Sequence, residues 1–315
     1  MSNVLLLSLF DNGNQMQHLA EALRKYTSHE AIHINIEQSY LDYTADVKLH
    51  ELTDYKKFRE LVDRINSCDF FVFSEIFPLD VKNVLERLQV YDKINPSNMI
   101  IRTAGSISRS RSDKYLKSWI DHNIMFAGPV YDWTIYRLIG RIAPIGQICP
   151  VGKIPKPNPP IDGVKICFSP TKHQKGATEF SWVINKLIDE LVDGFSYAFV
   201  SGKSWEESLK IKSECNATFD QFLTPSYANN AIEGMYLNHV VFSKLSEWVF
   251  LTCPDIPIVN VQTKEDLYNA VKQVIENPEI INSIGEMGHE YVIKHHSPEH
   301  VAKQWSNLID HVRQK

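Results

Sequence analysis

The sequence predicts an α/β protein of two units in tandem, each a parallel sheet covered by helices on both faces. Three observations carry this. Short, almost continuously apolar runs alternate with longer amphipathic ones, as strands buried on both sides alternate with the helices that cover them. The alternation stops at a proline-rich stretch near the middle of the chain and then begins again. The length of 315 residues exceeds one comfortable core and suits two domains of about 150 residues each.

In the first half the apolar runs place strands at residues 4–10, 31–36, 69–76, 98–104, 124–128 and 145–149, with helices at 15–26, 53–66, 80–93, 113–120 and 131–140. The seam is "CPVGKIPKPNPPIDG", from Cys149 to Gly163, with five prolines. Proline restricts itself and the residue before it, so the seam reads as an extended connector between domains 1–155 and 156–315. Beyond it, strands are expected at 164–169, 195–201, 217–223, 239–243 and 257–261. Helices are expected at 176–192, 204–214, 229–237 and 263–276, followed by a helical tail from Pro278 to about Arg313. Sheets of this kind bind ligands beyond the carboxyl ends of their strands, which predicts a cleft between the two units.

Composition excludes little but points one way. An apolar fraction of 43% and a charged fraction of 23% are those of a soluble globular protein. A net charge of −5 gives no bulk case for nucleic-acid or membrane binding, although a local basic patch can still serve either. The five cysteines are odd in number, widely spaced and without a C-x-x-C pair, which suits reduced, buried thiols in a cytoplasmic protein. The N-terminal "MSNVLLLSLFDNG" has no basic region before its short apolar run and reads as a buried first strand. No stretch approaches the ~18 consecutive apolar residues of a membrane span.

The turns after the strands carry the chemistry. The first, "SLFDNGNQMQHL", holds a single glycine, Gly13, where a dinucleotide fingerprint needs three. Neither a P-loop nor H-E-x-x-H occurs, which argues against the usual NAD enzymes, P-loop NTPases and zinc proteases. Gly13 is either a plain turn residue or the place where a ligand approaches a helix N-terminus. In "FSPTKHQKGATEF", Lys175-Gly176 opens a helix and is either an exposed loop pair or a phosphate site. In "FDQFLTPSYANNAIEGMYLNHVVF", Glu233 interrupts the apolar residues Ala231, Ile232, Met235 and Tyr236; taken alone it is an acid favouring the helix dipole. A basic run, Arg102, Arg109, Arg111, Lys114 and Lys117, is opposed only by Asp113. It is a solvated face or an anionic acceptor site for lipid phosphate or a nucleic-acid backbone. His289, His295, His296 and His300 are read as a helix–turn–helix surface and predict no metal site.

These motifs, in this order and with the tail "PEIINSIGEMGHEYVIKHHSPEHVAKQWSNLIDHV", resemble the nucleotide-sugar domain of GT-B glycosyltransferases of the large, retaining family-four type. The resemblance covers most of the chain, with its specific motifs in the second half, and implies two Rossmann-like domains in tandem with a C-terminal helical tail. In that family a K-G pair contacts the donor diphosphate, and Lys175-Gly176 stands there, with Thr171 in the same turn. The family's "aiEaM" element matches "AIEGM", and its glutamate binds the ribose hydroxyls, the role implied for Glu233. Ala228, Asn229 and Asn230 would present amide groups to the diphosphate, and Gly13 would lie on the donor as well. "MIIRTAGSISR" looks like the family's "H-G-S-x-x-R" strand end, and the basic run around it makes Arg102, Arg109 and Arg111 the candidate acceptor contacts.

The resemblance implies a hexosyl- or pentosyltransferase with a nucleotide-sugar as substrate, and neither cofactor nor metal, since no Asp-x-Asp motif is present. Lys175 would stabilise the departing diphosphate, and a retaining front-face route needs no separate base. The acceptor would be a surface glycan or a nucleobase in DNA. Pro225 stands where many members carry a second glutamate, and Ala104 where they carry a histidine. Asn238 and His239 replace the small residues of the consensus. These departures define the alternative, a non-catalytic GT-B-like subunit that binds nucleotide or glycan. An epimerase on the same architecture would need carboxylates in the cleft, for which Glu75 is the candidate.

Overall fold

The computed structural model describes residues 1–38, 43–103, 121, 123–129, 142–156, 163–170 and 176–314. Among them the chain builds two all-parallel sheets. The first contains β1 (Asn3–Ser8), β2 (Glu30–Asn35), β3 (Val47–Lys48), β4 (Phe70–Ser74), β5 (Met99–Arg102), β6 (Met125–Gly128) and β7 (Ile142–Pro144), in the order β3-β2-β1-β4-β5-β6-β7. The second contains β8 (Val164–Phe168), β9 (Phe195–Phe199), β10 (Ala217–Phe219), β11 (Val240–Ser243) and β12 (Ile258–Asn260), in the order β12-β11-β10-β8-β9. The expected α/β class is borne out.

The helices are α1 (Gln15–Tyr26), α2 (Tyr55–Ile65), α3 (Lys82–Arg87), α4 (Ala177–Asp189), α5 (Trp205–Ser213), α6 (Asn229–Tyr236), α7 (Glu247–Thr252), α8 (Lys264–Glu276), α9 (Glu279–His296) and α10 (Pro298–Arg313). The central strands of the first sheet read as continuous apolar runs because both faces are buried. Leu5, Leu7, Phe71 and Phe73 point into one core with Leu61 and Ile65 of α2. Val4, Leu6, Phe70 and Val72 point into the other, with Leu19 and Leu23 of α1 and Val301, Trp305 and Ile309 of α10.

The chain falls into two compact units, one with the first sheet and α10, the other spanning Cys149–Ser297. The tail is therefore two helices with different destinations. Ser297, extended at φ −62° and ψ 148°, ends α9. Then α10 lies on α1, where Ser306 Oγ is 2.9 Å from His29 Nε2 and Arg313 pairs with Asp69 at 2.9 Å.

Two local expectations are corrected. Residues 145–149 are not a strand: β7 ends at Pro144, and Ile148 exchanges both of its backbone hydrogen bonds with the buried Gln15 amide, at 2.7 and 3.0 Å. The apolar run reflects burial, with a side chain in place of a neighbouring strand. The helix expected over 80–93 is only α3 between two 3₁₀ turns, interrupted at Gln89, which takes a left-handed φ of 59°. Neither β3 nor α7 was expected. The helices predicted over 113–120 and 131–140 lie outside the described residues. No helix among the described residues is long and apolar enough to cross a membrane.

The strand orders fix where each sheet is open. Connections leave in opposite directions from β1 and β4, and from β8 and β10, so crevices form beyond the carboxyl ends of those pairs. In the second unit α9 packs on α6 by close approach. A Cβ at Gly285 would lie 2.2 Å from the Asn238 carbonyl oxygen, whereas one at Gly288 would meet Met235 at 3.2 Å. Gly285→Ala should therefore destabilise the protein by about 1–3 kcal/mol in denaturant unfolding, and Gly288→Ala by less. Equal, negligible losses would contradict this packing.

Candidate functional site

The site is best defined in the second unit, beyond the carboxyl ends of β8 and β10. The turn after β8 enters α4 through Gly176, at φ 107°. A side chain there would be strained, and its Cβ would come within 3.1 Å of the Phe219 and Phe222 rings. Lys175 and Thr171 lie outside the described residues.

The turn after β10 is organised by Asp220, a buried carboxylate that sequence reasoning missed. Its Oδ2 accepts the Ala228 amide at 3.1 Å, so this N-cap amide is already engaged inside the protein. Asn229 and Asn230 open α6, and the Asn230 side-chain amide donates to the Phe219 carbonyl at 3.1 Å. Their two side-chain oxygens are buried and have no hydrogen-bond partner among the described residues.

Glu233 follows one turn later, 7% exposed. Both carboxylate oxygens are held from α5: the Trp205 indole N–H donates to Oε1 at 2.9 Å, and the Lys212 ammonium pairs with Oε2. Trp205 and Lys212 are seven residues apart, hence on one helical face. A Ser204–Glu207 capping box fixes the start of α5 at Trp205. Lys212 was invisible in the sequence, because Lys203 and Lys210 are equally plausible partners and only packing selects among them.

The first unit presents a closed turn instead. Asp11, Gly13 and Asn14 take left-handed φ values of 43°, 72° and 56°. This geometry folds the Asp11 carboxylate over the start of α1, where it accepts the Met16 and Gln17 amides at 2.8 and 3.1 Å. Two of the amides that a ligand near Gly13 would seek are thus taken internally. Asp11 lies 4.0 Å from His33 Nδ1. Burial raises its carboxyl above the ordinary range, opposed by His33, the two amides and Arg102.

His33 is fully buried, with Ser8 Oγ 2.8 Å from Nε2 and Gln17 Oε1 3.1 Å from Nδ1. Burial lowers its imidazole, opposed by Asp11 and Asp46. Arg102 ends β5 as a buried residue, 6% exposed, and not on a solvated face. Arg109 and Arg111 lie outside the described residues. Glu75, the epimerase candidate, sits at a left-handed φ of 54° directly after β4.

Three of the tail histidines, His289, His295 and His296, pack against aromatic rings. His289 stacks on Tyr236 at 4.8 Å and bonds its carbonyl at 2.7 Å, and buried His296 lies 3.3 Å from the Tyr227 hydroxyl. No group of three metal-ligating side chains occurs among the described residues. All five cysteines are buried free thiols.

No protein-family profile matches the sequence, and no curated protein is detectably similar to it. Solved structures do resemble it across nearly the whole chain. HepE of Anabaena in complex with UDP and glucose shares 10% identity at a TM-score of 0.65, covering 98% of this chain and 100% of that one. The catalytic domain of starch synthase IV from Arabidopsis thaliana, bound to ADP and acarbose, shares 9% at 0.62 with complete coverage of both chains. A putative UDP-N-acetylglucosamine 2-epimerase from Listeria monocytogenes shares 10% at 0.60, covering 100% of this chain and 98% of that one. The fold is that of the GT-B glycosyltransferases. Identities this low define the fold and nothing finer.

His33 gives the first unit a pH dependence of known sign. Its folded form gives up the proton more readily than the unfolded form, whose value is about 6.5. Its contribution is therefore complete above about pH 6.5 and is lost as pH falls toward the lower folded value. Melting temperatures from pH 5 to 8 should rise with pH up to that point, and His33→Gln should flatten the rise. An unchanged slope in the variant would contradict a neutral, buried His33.

Proposed function

We propose that the protein is a glycosyltransferase that transfers a hexose or pentose from a nucleotide-sugar donor, with retention and without a metal. The carrying observation is Glu233: a buried carboxylate beyond the β8/β10 switch point of a GT-B fold, a fold whose neighbours include proteins solved in complex with UDP or ADP. Glu233 accepts the ribose hydroxyls of the donor. The diphosphate lies over Gly176 and the first turn of α6, against Lys175 and Thr171. With the Ala228 amide given to Asp220, the Asn229 and Asn230 amides meet it in its place. With Gly13's neighbouring amides taken by Asp11, any donor contact from Gly13 is through the bare backbone of its turn.

In the transfer, the bond from the anomeric carbon to the phosphate oxygen breaks as negative charge grows on the diphosphate. Lys175 and the α4 and α6 N-termini stabilise that charge in the role a metal ion takes elsewhere. The acceptor oxygen bonds to the same face of the anomeric carbon, and its proton passes to the leaving phosphate, so no protein base is required. The acceptor is a surface glycan or a nucleobase in DNA, met by Arg102, Arg109 and Arg111. Buried free thiols suit a cytoplasmic location.

A specific observation favours a second reading. The Ala228 amide and the start of α1 are both closed by internal carboxylates, which suits a GT-B-like subunit that binds nucleotide or glycan without catalysis. Donor hydrolysis or transfer separates the two, since the binding subunit shows neither.

A thermal-shift screen of UDP, GDP, ADP, CMP and their sugar conjugates tests donor binding. A ligand at 100 times its Kd adds about 2.7 kcal/mol. One nucleotide series should raise the melting temperature of the wild type and shift Glu233→Gln distinctly less. Equal shifts in both proteins, or none at millimolar nucleotide, would refute the assignment of Glu233.

A further inference from the structure

Lys212 is an unusual residue to bury. Its side chain is 4% exposed, and that of Glu233 is 9% exposed. Taking two charges out of water costs several kcal/mol per ion, and apolar residues of similar volume commonly serve stability as well or better. A buried pair of this kind calls for a reason beyond packing, and its geometry suggests one. Trp205 and Lys212 are separated by about 10 Å of helix rise. Yet the indole and the lysine stem converge on one carboxylate, each taking a different oxygen. A glutamate so held has no free torsion left. A carboxylate offers about four acceptor positions, and two remain here.

We infer that Lys212 and Trp205 are positioning residues that aim the two remaining acceptor positions of Glu233 at the 2′- and 3′-hydroxyls of a ribonucleotide, and so set discrimination between ribo- and 2′-deoxyribonucleotides. This rests on the ribose role proposed for Glu233. The argument is one of preorganisation: a carboxylate already fixed in the free protein loses little freedom when two hydroxyls bind it. Lys212 also compensates its charge, so that a nucleoside covering the site does not leave a lone carboxylate beneath it. A ligand lacking the 2′-hydroxyl loses one hydrogen bond to a charged group, and a carboxylate free to rotate away would not register that loss.

The test is calorimetric binding of UDP, GDP and ADP, each beside its 2′-deoxy counterpart, to wild type, Lys212→Met, Lys212→Arg and Trp205→Phe. In the wild type the best-bound ribonucleotide should exceed its 2′-deoxy form by roughly tenfold to a hundredfold. Lys212→Met should bring that ratio close to one, with deoxynucleotide affinity little changed, and Lys212→Arg should restore part of it. Trp205→Phe keeps the ion pair and should also reduce the ratio, so it carries the same reading if Lys212→Met fails to fold. A merely structural pair would weaken both ligands alike and leave the ratio intact. A large wild-type ratio that survives in the folded Lys212 variants and in Trp205→Phe overturns the inference alone. A wild-type ratio of one, or no nucleotide binding, overturns the ribose role of Glu233 and the inference with it.

Discussion

A carboxylate and an ammonium buried together must find their partners inside the fold, and Glu233 and Lys212 find each other across α5 and α6. This constraint organises the second unit. It fixes how far α5 stands from α6, because only there do both the lysine and the Trp205 indole reach one side chain. On its other side α6 is held by α9, whose Gly285 lets the helix approach the Asn238 carbonyl. Removing one charge alone would leave the other stranded at a cost of about 3–5 kcal/mol.

The two sheets treat the turns at their switch points differently. After β1 three left-handed residues fold the Asp11 carboxylate over α1, and the buried chain from Asp11 through His33 to Ser8 seals that end of the strand. After β10 a second carboxylate, Asp220, takes the N-cap amide of α6, one residue before Asn229 and Asn230 open the helix. An anion seeking free amides is directed to the second unit. That asymmetry is why the proposed donor contacts concentrate there.

Much of the fold was legible because burial on both faces of a parallel sheet writes itself as continuous apolar runs. Residues 15–26 coincide with α1, and the strands of the second unit were placed within a few residues of their ends. The failures share a cause. The run at 145–149 is buried but bonded to Gln15, and hydropathy does not reveal what satisfies a backbone. The tail reads as helical throughout, yet the periodicity of α10 does not say which sheet its apolar face covers. At the site, Glu233 stood out as a carboxylate among apolar neighbours. Asp220 did not, since an acid at a strand end is unremarkable, and Lys212 was one lysine among several in "GKSWEESLKIKS". Partners that meet only through tertiary packing leave no local signature.

The most direct test of the central claim is a crystal structure of the protein soaked with the nucleoside diphosphate it binds best. The ribose hydroxyls should lie within hydrogen-bonding distance of Glu233 while its contacts to Trp205 and Lys212 persist, with the diphosphate over Gly176 and the Asn229–Asn230 turn. A nucleotide bound elsewhere, or one whose ribose leaves Glu233 untouched, would contradict the account and reduce Glu233 to a structural ion pair.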